Sequence, residues 1–106
     1  MNSELPAICF AGFREAGLTH VSMNGQPFTA ARSLLLRKHS PTGFEWGFAG
    51  SGPAQLALAL LLEVTSEEAA LMLYQSFKFD VVVKLNESWI LADTDILAWL
   101  NSQATT

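Results

Sequence analysis

Residues 43–62 read GFEWGFAGSGPAQLALALLL, and this stretch decides the fold. Aromatic residues and spaced glycines (Gly43, Gly47, Gly50, Gly52) come first, and Pro53 follows directly. From Pro53 to Leu62 every position is apolar except Gln55. The pattern predicts a helix over about Pro53–Val64, with Ser51 as its N-cap. Pro53 sits near the first turn, where its missing N–H costs nothing. Leucines at 56, 58, 60, 61 and 62 leave no polar side, so the helix belongs at the centre of the molecule. The apolar run is too short to cross a bilayer.

Working outward, the chain upstream reads as strands. Residues 7–13, AICFAGF, are short and apolar, and Thr19 to Met23 alternates in part before Asn24-Gly25. Gly17 between the two runs completes the signature of a β-hairpin. Asn24-Gly25 is a further turn signal, so a third strand is expected, with Ser33–Arg37 the leading candidate. A short helix there is the competing reading, and Phe44–Phe48 is either one more strand or an ordered loop. Downstream, Thr65 and Glu68 have the spacing of a capping box for a helix from near Ser66, reaching as far as Leu85. Ala70, Leu73, Phe77 and Val81 form its inward stripe. Trp89–Leu91 reads as a short extended piece, and Asp93 caps a last helix with Ile96, Leu97 and Leu100 turned inward. Strands first and helices second is an α+β layout. The expectation is one domain over residues 1–106. It holds a small antiparallel sheet, made of the N-terminal hairpin plus one or two short strands, packed on about three C-terminal helices. Residues 1–5 and 102–106 are expected to be loose.

Half of the 106 residues are hydrophobic and only 15% are charged. That is too apolar for a disordered chain and sparsely charged for a globular one. Such a surface invites self-association, as a homodimer, or docking on a partner. The net charge of -4 argues against direct nucleic-acid binding, which needs a cationic surface. Cys9 is the single cysteine, so neither an internal disulfide nor a cysteine zinc site can form. It is expected to be a small buried hydrophobe. No secretory pattern opens the chain, and a cytoplasmic, non-membrane setting is expected.

Few residues carry an obvious chemistry. Gly50, Ser51 and Gly52 precede a helix N-terminus, where backbone N–H groups can cradle an anion. The spacing matches neither a P-loop nor a dinucleotide fingerprint, so a small-ligand or nucleotide-binding loop is the alternative reading and not the leading one. Phe44, Trp46 and Phe48 share one face if extended, and two of the three are expected in the core. Arg32, Arg37, Lys38 and His39 form a basic segment in a stretch without acids between Glu15 and Glu45. His39 beside Ser40 has no visible orienting carboxylate, and His20 is the only other histidine, so neither a hydrolase nor a metal site is expected. No cofactor is implied. The acids at Glu67, Glu68, Asp93 and Asp95 suit the first turns of their helices.

Phe44-Glu45-Trp46-Gly47, followed by Gly50-Ser51-Gly52-Pro53-Ala54-Gln55-Leu56-Ala57-Leu58-Ala59, resembles the block carried by a family of small proteins of unknown function from phages, plasmids and integrative elements. Tyr74-Gln75-Ser76-Phe77-Lys78, Trp89 and Ala98-Trp99-Leu100 also fit. Phe48 and Ala49 depart from it, since the family tends to have Tyr and Gly there. The resemblance implies a setting and no catalytic residues. Small accessory proteins of mobile elements often act stoichiometrically on host machinery, including as inhibitors of CRISPR or restriction defence. The leading expectation is therefore a non-enzymatic protein that binds a host protein, with Arg37, Lys38, Trp46 and Phe48 as contact residues.

Overall fold

The computed structural model describes residues 6–41 and 43–103, so the expectations for residues 1–5 and 104–106 lie outside the described residues. Two strands, β1 (Cys9–Glu15) and β2 (Leu18–Met23), form the hairpin. The turn is tighter than the sequence reading allowed. Only Ala16 and Gly17 lie between the strands, both at positive φ (54° and 80°), as two-residue hairpin turns require. The third strand, β3 (Gln26–Pro27), follows Asn24-Gly25 at once. This corrects the expected strand at Ser33–Arg37. The two-residue turn returns the chain immediately, and Pro27, which has no N–H to donate, ends the strand at the sheet edge. Ser33 belongs instead to the one-turn helix α1 (Ala31–Leu34). Asn24 fastens the turn to β1. Its Oδ1 accepts from Cys9 N at 2.8 Å, and its Nδ2 donates to Ala7 O at 3.2 Å.

The central helix, α2, spans Ser51–Val64, with Gly50 rather than Ser51 at its N-cap and no side-chain cap. Every residue from Pro53 to Leu62 is buried, as an all-apolar helix demands. α3 (Glu67–Asp80) packs along it. Its cap is Ser66, whose Oγ accepts from Ala69 N at 3.1 Å, and the expected Thr65–Glu68 box does not form. Thr65 is extended and ends α2 instead. α3 stops at Asp80, and the valine-rich run continues as a 3₁₀ turn, Val82–Lys84. The piece β4 (Trp89–Ala92) completes a four-stranded antiparallel sheet in the order β3-β2-β1-β4. α4 (Asp93–Gln103) closes the described chain, so Ser102 is helical rather than loose. Ile96 is buried, but Leu97 is 41% exposed, against its expected inward placement. Phe44–Phe48 is an ordered loop.

Strand alternation splits the sheet cleanly. Phe10, Gly12, Trp89 and Leu91 face the helices, and the core joins Phe10 and Trp89 to Trp46, Phe77, Ile96 and the α2 leucines. Gly12 lies opposite Trp89 in the register. A Cβ there would come within 2.5 Å of the indole, so only glycine lets Trp89 lie across β1. Cys9, expected to be buried, is exposed, because Phe10 takes the inward position and turns its neighbour outward.

Candidate functional site

Two segments converge on the first turns of α2: the loop Phe44–Gly50 and the basic segment Arg37–Ser40. The loop is held from three sides. Arg14, on the inward face of β1, donates from Nη2 to Glu45 Oε1 at 2.8 Å and to Trp46 O at 2.7 Å, and from Nη1 to Glu87 Oε1. Its guanidinium also lies 4.6 Å from the centre of the Trp46 ring. Hydrogen bonding to Glu45 raises the Arg14 pKa above its ordinary value; burial opposes this and Glu87 reinforces it. The cation is therefore permanent at any biological pH. Gly47, at φ 86°, donates its N–H to Val82 O at 3.1 Å, which binds the loop to the 3₁₀ turn. Gly52 is needed for close approach, because a Cβ would lie 2.6 Å from Glu45 Cβ.

This packing sets the fate of each expected contact residue. Trp46 is completely buried, edge-on to Trp89 at 5.6 Å, and Phe44 is 6% exposed. Two of the three aromatics are thus core, as expected. Trp46 cannot offer its ring to a partner, which corrects its assignment as a contact residue: the Arg14 guanidinium and Trp89 already cover it. Phe48 is half exposed, with one edge of its ring beside Gly50 in the pinned loop. Gly50, Ser51 and Gly52 do open α2, with Ser51 exposed. The Glu45 stem packs against Gly52, while its carboxylate is taken by Arg14.

The basic segment is organised by a residue that sequence reasoning did not count as functional. Gln55 is fully buried on α2. Its Oε1 accepts from His39 N at 2.7 Å and Ser40 N at 3.0 Å, and its Nε2 donates to Ser33 Oγ at 2.8 Å and Arg37 O at 3.0 Å. The signal for it was present, since Gln55 is the one polar side chain in an apolar run. Arg14 had no such signal, because its partners lie 31 and 73 positions away. Arg37 and Lys38 are both exposed, and the Arg37 side chain donates from Nη1 to the carbonyl of Leu36. Among the described residues neither has an ion-pair partner. Arg32 is separate: it donates to Leu62 O at 3.1 Å and lies 3.5 Å from Glu63, at the far end of α2. His39 meets Tyr74, with Nε2 2.7 Å from the hydroxyl, and among the described residues no carboxylate orients it. Among the described residues no cluster of His, Cys, Asp or Glu could hold a metal ion. None of the helices described is long and apolar enough to cross a membrane.

A family of unknown function, DUF6166, matches residues 10–102. The chain belongs to the DUF6166 family. The match runs from β1 into α4, so the hairpin, the Phe44–Gly50 loop and all the longer helices are DUF6166 structure. No curated protein and no solved structure matches the chain.

Proposed function

We propose that the protein acts by binding another protein, through a rim made of Phe48 and the basic pair Arg37 and Lys38. One observation carries this reading. A half-exposed phenylalanine stands on a loop locked by Arg14, Gly47 and Gly52, and two exposed cations, without ion-pair partners among the described residues, sit on a segment locked by Gln55, at the same end of α2. A backbone held in place before binding loses little conformational entropy on association. Aromatic and arginine side chains are also the residue types that dominate interface energetics. In a chain of net charge -4, a local cationic rim favours an acidic partner surface. The finer proposal is that the partner is a component of a host defence system and that the protein is a stoichiometric inhibitor carried by a phage or mobile element. The support for that is the resemblance of the Phe44–Ala59 block to small proteins of such elements.

The test is phage plating on a host that carries the defence system and on one that lacks it. The wild-type protein is expected to restore plaques on the defended host alone. Phe48→Ala, and Arg37→Glu combined with Lys38→Glu, are expected to cut that rescue at least about tenfold while the circular dichroism spectrum stays unchanged. Full rescue by both folded variants sinks the assignment of the rim.

A further inference from the structure

The helical layer covers one face of the sheet, and the opposite face carries a second surface. Cys9, Ala11, Phe13 and Glu15 of β1, Leu18, His20 and Ser22 of β2, and Ile90 and Ala92 of β4 point away from the helices. Three of them are large apolar side chains in water: Phe13 is 45% exposed, Leu18 65% and Ile90 75%. Phe13 stacks on His20 with ring centres 4.7 Å apart. Glu15, at the hairpin end, is the one Asp, Glu, Lys or Arg on the strands of this face. An apolar face so poor in charge gives a nucleic acid or a highly charged protein nothing to pair with.

We propose that this face is a self-association surface, occupied by the same face of a second copy packed sheet on sheet. The register makes the face complementary to itself. Across the strands one row reads Ile90, Ala11, Ser22, which is one large side chain and two small ones. A two-fold axis along β1, between the two sheets, reverses that row. Ile90 of each copy then falls over the small Ser22 of the other, with Ala11 on Ala11 at the axis. The neighbouring row places Phe13 beside the axis, so the two phenyl rings meet. The central rows lack charge, and the one like-charge pair on the axis, Glu15 against its copy, falls at the hairpin end where solvent screens it. Edge-to-edge pairing is restricted by contrast, at one position on each edge. Pro27 has no N–H on the β3 side, and on the β4 side the Ala92 N–H already donates to Asp95 Oδ2 at 2.9 Å.

The dimensions set the strength. Strands of seven, six and four residues at about 3.4 Å per residue and about 4.8 Å apart make a face of roughly 280 Å² on each copy. The total is well below the ~1,200–2,000 Å² of a stable interface, so the dimer is weak and reversible.

Cys9 supplies a clean probe, since it is the only cysteine, is exposed, and lies on the axis strand. Packed sheets stand about 10 Å apart, so the two Cys9 residues are too distant for a disulfide, which needs Cα atoms within about 7 Å. A short bis-maleimide should bridge them. The experiment is sedimentation velocity over about 10 µM to 1 mM protein, together with bis-maleimide crosslinking. A concentration-dependent dimer and a crosslinked dimer are expected. Both should fall at least about tenfold in Ile90→Glu and in Ser22→Glu, and neither should change in Phe48→Ala, which separates this surface from the rim proposed above. Ile90 is exposed, so its variant keeps the fold. A monomer at every concentration overturns the proposal. So does a dimer indifferent to Ile90→Glu and Ser22→Glu, or a Cys9 disulfide that forms readily under mild oxidation.

Discussion

Replacing Gln55 with leucine tests how the basic segment is held. Leucine fills nearly the same volume and suits the helix, so the change isolates the amide. Four hydrogen bonds disappear. Ser33 keeps its bond to Ala30 O at 3.0 Å, but the N–H groups of His39 and Ser40 and the carbonyl of Arg37 lose their partner. A buried group left unpaired costs about 1–3 kcal/mol, and these three are only partly buried, so about 1 kcal/mol each is appropriate. The added apolar atoms return roughly 1 kcal/mol. The net loss is about 2 kcal/mol, which for a chain of this size lowers Tm by roughly 8–16 °C. Urea denaturation measures the loss. Amide exchange at His39 and Ser40 should also accelerate more than at core amides of α2, because the segment opens locally before the domain unfolds. A loss under about 0.5 kcal/mol, or unchanged exchange at both amides, refutes the view that Gln55 organises the segment.

Two other substitutions probe the loop and the hairpin. Arg14→Lys keeps the charge but not the fork that reaches Glu45, Glu87 and Trp46 O together. With Arg14 22% and Glu45 38% exposed, solvent screening limits the expected loss to about 1–2 kcal/mol. It should be accompanied by a shift in tryptophan fluorescence as the cation leaves the Trp46 ring, and an unchanged spectrum with unchanged stability counts against the fork. Ala16→Asn should stabilise the chain by about 0.5–1 kcal/mol in urea denaturation, because Ala16 sits at φ 54°, which asparagine tolerates better. No gain there means that the strained turn is not a cost to folding.

Elements with a strong local signal were legible. The buried helix after Pro53 follows from composition alone, and the hairpin follows from two apolar runs with glycine between them. Turn and cap chemistry misled where two residues offered the same group. Thr65 and Ser66 are both able to cap α3, and the backbone of Thr65 was already committed to ending α2. Cys9 and Leu97 were misplaced for a related reason. Within a short apolar run, periodicity does not say which residue starts the inward count.

The candidate rim was legible in part. Phe48, Arg37 and Lys38 are on the surface, whereas Trp46 is under Arg14. Aromatics serve cores and interfaces alike, so residue type does not separate the two outcomes.

What the sequence determined by itself is everything governed by neighbours along the chain: the α+β class, the central helix, the two glycine turns, and the absence of a cysteine or dinucleotide signature. Everything that depends on residues distant in sequence was settled by packing. Arg14 found Glu45 and Glu87, Gln55 found Arg37–Ser40, Gly12 found Trp89, and one face of the sheet is left uncovered by the described residues. Those contacts arise from packing helices on a sheet in three dimensions, and local propensity carries no record of which distant group will arrive.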